Sequence, residues 1–147
     1  MKIRLFMAAL AAAIACTLLT AAKPAPDGSD SDKKPAIEFD SRVHDFGEIG
    51  AEAGPVTHTF TFTNTGTAPL IIVSATASCG CTRPVYTTSP VKPGKKGSIK
   101  VSYLPSGQPL GEFSKTVRVR TNAGGKRLTL QIGGVIVPGA VNPAQKK

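Results

Sequence analysis

The stretch VTHTFTFTN, from Val56 to Asn64, alternates without a break. Val56, His58, Phe60 and Phe62 fall on one side, and Thr57, Thr59, Thr61 and Thr63 on the other. A period of two, built from aromatic and β-branched residues, specifies a half-buried strand. The same pattern recurs on both sides of it. SIKVSYL sends Ile99, Val101 and Tyr103 inward, and FSKTVRVRT sends Phe113, Val117 and Val119. RLTLQI sends Leu128, Leu130 and Ile132. IEF and HDFGEI read as short early strands, and the apolar run LIIVSATA as a central one. Turn signals divide these runs at Asn64-Thr65-Gly66, Lys92-Pro93-Gly94, Pro105-Ser106-Gly107 and Asn122-Ala123-Gly124-Gly125. Gly133-Gly134 interrupts the last run and predicts a bulge or a close backbone approach. The fold expected is all-β: an immunoglobulin-like antiparallel β-sandwich of about seven strands. Its core is expected from Phe39, Phe46, Phe60, Phe62, Leu70, Ile72, Val101, Val117, Val119, Leu128 and Leu130.

The N-terminus has a different grammar. Lys2 and Arg4 precede an apolar run from Leu5 to Leu19, and Thr20-Ala21-Ala22 supplies small residues. That is the anatomy of a secretory signal peptide over residues 1–22. A transmembrane helix needs about 20 apolar residues, more than this run offers. Cleavage at Cys16, with lipidation, ranks below simple secretion, because Ala13 stands where a lipoprotein signal usually has Leu. Residues 23–35, rich in Pro, Asp, Ser and Lys, read as a flexible linker. Residues 36–138 form the sandwich domain, and 139–147 a loose tail. The expected location is the periplasm or the cell surface, with no transmembrane segment once the signal is removed.

Charge is divided along the chain. Eight of the nine acidic residues lie between Asp27 and Glu52, and only Glu112 follows, against twelve Lys and Arg. A basic domain is attracted to anionic surfaces such as lipid headgroups or acidic glycans. Nucleic acid is not expected, given export and a chain with two Tyr and no Trp for stacking. Lys115, Arg118 and Arg120, with Arg127 nearby, form a basic row that reads first as a solvated strand face and second as a binding patch.

Cys79-Gly80-Cys81 carries the remaining cysteines beyond the signal. On an extended strand their Cα atoms would lie about 6.5–7 Å apart, whereas a disulfide prefers roughly 5.5–6 Å. A local disulfide therefore requires a bend, which Gly80 would permit. Reduced, the pair would suit Cu(I) better than zinc, which wants four ligands. A closed site would have to recruit His58 and His44, whose spacing carries no metal signature. A redox enzyme ranks last, since Cys-x-Cys opens no helix that would lower a thiol pKa.

HDFGEIG (His44–Gly50), HTFTFTNTGTAPLIIVSATASCGCTRP (His58–Pro84), VKPGKKGSIKVSYLP (Val91–Pro105) and GEFSKTVRVRTNAGGKRLTLQIGGVIVP (Gly111–Pro138) occur in order. Together they resemble the exported bacterial family called domain of unknown function 1573. That family is related in fold to the immunoglobulin-like domains of abnormal-spindle/hydin and major-sperm-protein type. The resemblance covers residues 37–138 and implies a sandwich and export, with no established activity. No nucleophile elbow or glycine-rich phosphate loop is present, so no catalytic residue is assigned. The expected function is that of an exported, non-enzymatic binding or structural module. Its partner would be an unidentified protein or envelope component, docked for instance at an open sheet edge. The alternative is copper(I)- or thiol-handling through Cys79 and Cys81.

Overall fold

The computed structural model describes residues 33–125 and 127–139. The signal segment, Cys16, residues 23–32 of the linker and the tail after Gly139 lie outside the described residues. Eight strands follow in order: β1 (Ile37–Phe39), β2 (Val43–Gly50), β3 (Val56–Asn64), β4 (Ile72–Ala77), β5 (Thr82–Tyr86), β6 (Lys96–Tyr103), β7 (Gly111–Thr121) and β8 (Leu128–Val137). They form two four-stranded sheets, β1-β3-β6-β5 and β2-β8-β7-β4.

Alternation decides which residues meet between the sheets. Phe60 and Phe62 of β3 and Ile99, Val101 and Tyr103 of β6 are buried, facing Val117, Val119, Leu130 and Ile132 of the other sheet. β3 and β6 are antiparallel neighbours, with Phe62 opposite Gly97. The Phe62 ring lies where a Cβ on Gly97 would stand, so this inward position carries no side chain. Burying each large apolar side chain contributes about 1.5–3 kcal/mol, and these two rows supply most of the core. Phe39, Phe46 and Leu128 pack at its margin, half-buried, while Ile49, Val91 and Ile136 are fully part of it.

Three features depart from the sequence reading. The eighth strand, β5, contains Pro84 and pairs only with β6. Proline cannot donate to a ladder, so an edge is where it is tolerated. The second departure is β4, which is an edge and not a central strand. A register shift between Ile72 and Ser74 takes Val73 out of the alternation, leaving it 54% exposed. Third, β2 runs parallel to β8 in a sandwich otherwise antiparallel. Each of the first three strands enters a different sheet from the last, so no hairpin dictates the direction of β2.

The bulge expected at Gly133-Gly134 sits across from them, in β2. Pairing shifts between Asp45 and Glu48. Before the shift His44 and Phe46 point inward, and after it Ile49 does, opposite Ile136. One extra residue has exchanged the two faces of the strand. Gly47 takes the left-handed conformation this needs (φ 66°), and its N–H donates to the Asp45 carboxylate at 2.8 Å. A Cβ on Gly134 would stand 2.7 Å from the Gly47 carbonyl oxygen, which explains the glycine on the opposing strand.

Asn64 closes one end of β3 and is fully buried. Its amide donates to the carbonyls of Ala68 and Val91, each at 2.8 Å. Its side-chain oxygen accepts from the N–H of Gly66 at 2.9 Å and of Ala36 at 3.4 Å. The chain is docked here from Lys34 onward: Thr67 N–H donates to the Lys34 carbonyl at 2.9 Å. Gly66 packs directly on the backbone of Lys34–Ala36, leaving no room for a side chain.

Tyr103 is the contrasting case. Its ring stacks on Phe113 at 4.2 Å between centroids, and burial raises its pKa above the usual phenol value. Among the described residues its hydroxyl has no hydrogen-bond partner.

Replacing Asn64 by Ala strands several buried backbone groups, and is expected to cost about 2–4 kcal/mol in urea unfolding. Tyr103→Phe removes only an unpartnered hydroxyl. It is expected to leave stability unchanged or raise it by up to about 1 kcal/mol in the same assay.

Candidate functional site

The cysteines lie in the turn that carries the chain from β4 to β5, and so from one sheet to the other. Cys79 and Cys81 are joined as a disulfide, with Cα atoms 5.3 Å apart. The turn supplies the bend: Thr82 N–H donates to the Cys79 carbonyl at 3.3 Å, and Leu104 N–H to the Cys81 carbonyl at 2.9 Å. The buried Thr82 hydroxyl lies 3.4 Å from the Cys79 sulfur and 3.9 Å from the Cys81 sulfur. A bridged sulfur has no proton, so this hydroxyl is the donor. Gly80 does not adopt a left-handed conformation, and a Cβ there would meet open space. The bend therefore does not depend on glycine.

His58 is not near this turn. β6 separates its strand from β5, and across the gap between sheets the His58 ring stacks on His44 at 3.6 Å, 8° from parallel. Phe46 and Phe60 meet the two rings edge-on at 4.6 and 4.7 Å. Rings stacked face to face direct their nitrogens outward from the stack and cannot share a metal between them. Among the described residues no cluster of three His, Cys, Asp or Glu is placed to hold a metal ion.

The basic row divides. Lys115 shares the parity of Phe113 and Val117 and pairs with the buried Ile132. Arg118 and Arg120 point to the outer face, beside Thr76 and Ser74 of β4. With Arg127 they line an open concavity of about 600 Å³, shared with Ser74, Thr76, Thr121 and the Gly124-Gly125 turn. All three arginines are exposed, and among the described residues none is in an ion pair. Glu112 lies on the same outer face of β7, six residues or about 20 Å from Arg118. The hydroxyls of Ser74 and Thr76 escaped the sequence reading because β4 was read as a central strand. Its edge position next to β7 is what sets Ser74 and Thr76 against the arginines.

The family model described as "Protein of unknown function (DUF1573)" matches residues 37–136. No curated protein matches. Among solved structures, a protein of unknown function from Porphyromonas gingivalis W83 is similar with a TM-score of 0.62 and 15% identity, over 71% of this chain and 48% of that one. The chain thus spans about half of that protein. PapD-like domain 7 of human CEP192 is similar at 0.51 and 13% identity, over 70% of this chain and 86% of that domain. A family 123 glycoside hydrolase from Clostridium perfringens is similar at 0.55 and 8% identity, over 73% of this chain and 28% of the hydrolase. At these identities the likeness is one of fold: an immunoglobulin-like sandwich of PapD type.

Two outcomes follow from this geometry. The disulfide closes almost no loop, so the Cys79→Ser/Cys81→Ser double variant is expected to lose at most about 2 kcal/mol in urea unfolding. Both histidines are held below the ordinary imidazole pKa of 6.5, first by burial. The facing His44 lowers His58 further, while Asp45 partly offsets the effect at His44. The folded state therefore prefers neutral rings, and stability is full above pH 6.5. It falls as pH drops below 6.5, where the unfolded chain takes up protons that the folded one resists. Urea midpoints measured across that range should decline for the native chain and decline less for His44→Gln/His58→Gln. Equal slopes would exclude the stack as the cause.

Proposed function

We propose that this chain, which belongs to the DUF1573 family, is a non-enzymatic binding module of the cell envelope that holds an anionic ligand in the Arg118–Arg120–Arg127 concavity. The observation that carries this reading is the chemistry of the lining. Three guanidinium groups and the hydroxyls of Ser74 and Thr76 all offer hydrogen-bond donors. Guanidinium forks match phosphoryl and carboxylate oxygens, often two bonds at a time. The residues lining the concavity include no carboxylate, imidazole or thiol to act as general base or nucleophile. Such a cradle is equipped to hold an anion and not to transform it. The Cys79–Cys81 disulfide fits an oxidising compartment outside the cytoplasm, in keeping with the signal-like N-terminus.

The sheet edges favour a face over an edge as the binding surface. β1 has three residues, β2 is bulged, β4 has a register shift and β5 contains proline. Each is a device that discourages strand addition.

Calorimetric titration with inorganic pyrophosphate tests the reading. The native chain is expected to bind, with affinity falling as salt is raised. Arg118→Ala/Arg120→Ala/Arg127→Ala is expected to abolish detectable binding. Because the three side chains are exposed, unfolding should stay within about 0.5 kcal/mol of the native value. Binding that survives the triple substitution would place the ligand elsewhere.

A further inference from the structure

Beside the concavity lies an exposed aliphatic pair that a soluble anion does not need. Val73 immediately precedes Ser74 of the lining and Ile71 lies two residues before it, with the buried Ile72 between; they are 54% and 38% exposed. Ile71 is held in place. Ile71 N–H donates to the Asn122 side-chain oxygen at 2.8 Å, and Asn122 N–H donates to the Ile71 carbonyl at 3.1 Å. The Asn122 amide also donates to the Pro69 carbonyl at 3.0 Å. Asn122 opens the turn that carries Gly124, Gly125 and Arg127. The same residue thus ties Ile71 to the turn that carries Arg127.

Building on the anion-binding reading, we propose that this face docks on a membrane surface. The phosphate of an anionic phospholipid headgroup would occupy the Arg118–Arg120–Arg127 concavity, and Ile71 and Val73 would enter the headgroup–acyl boundary. Two features of the patch select this occupant. The cationic groups complement a negatively charged headgroup layer, each contributing when close to the surface. The adjoining aliphatic side chains gain by leaving water at that boundary. A free phosphate uses the first feature and leaves the second idle.

Sedimentation with vesicles of phosphatidylglycerol in phosphatidylcholine, against vesicles of phosphatidylcholine alone, tests the proposal. The native chain is expected to sediment with the first and not the second. Each arginine replaced by Ala should weaken partitioning roughly fivefold. Ile71→Ser/Val73→Ser should weaken it by about tenfold while leaving pyrophosphate affinity unchanged. Both aliphatic residues are exposed, and a melting curve confirms that the double variant is folded. If pyrophosphate binds but the anionic vesicles do not, the membrane proposal falls and the anion-binding reading stands. If vesicles bind equally well without Ile71 and Val73, the proposal also falls, because basic charge alone accounts for the attraction. If neither probe binds, both readings fall together.

Discussion

One buried side chain, Asn64, is the constraint on which the loops at one end of the sandwich depend. A β-sandwich must satisfy the backbone groups that its ladders do not reach, and at an end where loops pass over the core there is little water to do so. Asn64 answers this with two donors and one oxygen that accepts twice. Its four contacts gather the segment before β1, the β3–β4 loop and the strand-like Val91, which itself exchanges hydrogen bonds with Leu70. The backbone of Asn64 adds a bond from its N–H to the Lys95 carbonyl and one from Gly94 N–H to its own carbonyl. A carboxylate at this position has no donor for the two carbonyls, and a leucine has neither donor nor acceptor. Asn64 is the last inward position of β3, so the alternation that builds the core also delivers the residue that closes it.

That alternation made most of the fold legible in the sequence. β3, β6, β7 and β8 are long, regular and solvated on one face, and their inward residues follow from parity alone. What was not legible has a common cause: the pattern records which face a residue takes, not where its strand sits in the sheet. LIIVSATA looked central because its apolar residues are nearly continuous, yet Val73 owes its place to a register shift at an edge. TRPVY went unassigned, and its Pro84 is one that an edge accommodates. HDFGEIG concealed a bulge that exchanges its faces, and only the glycines on the opposing strand hinted at it.

The candidate site was legible to the same extent. The basic residues of β7 stood out by composition, but parity separates Lys115 from Arg118 and Arg120, and a row written along a strand mixes both faces. Arg127 joins the two arginines through the hairpin between β7 and β8. Ser74 and Thr76 join through the β4–β7 pairing, which no local feature of SATA announces. The histidines share this lesson. HDF and HTF each place a ring two residues before a phenylalanine, and the stack forms because β2 and β3 lie in opposite sheets on the same side of the sandwich.

Topology also converts a division of charge along the chain into a division across the molecule. β1 and β2 are the edges of their respective sheets, and the His44–His58 stack joins β2 to the strand beside β1. Glu38, Asp40, Asp45 and Glu48 therefore collect on one flank. β4 and β5 are the opposite edges, joined to each other by the disulfide turn, and that flank carries Arg83, Arg118 and Arg120. Three strand spacings, about 14 Å, separate the edge strands, and two, about 10 Å, separate β2 from the arginines of β7; both exceed the roughly 8 Å over which charges act in physiological salt. The acidic flank is partly offset, since Lys96 pairs with Asp40 at 3.5 Å and Arg42 leads into β2, whereas the other carries Arg83, Arg118 and Arg120. An anionic layer would therefore favour approach by the β4 side over the β1–β2 side.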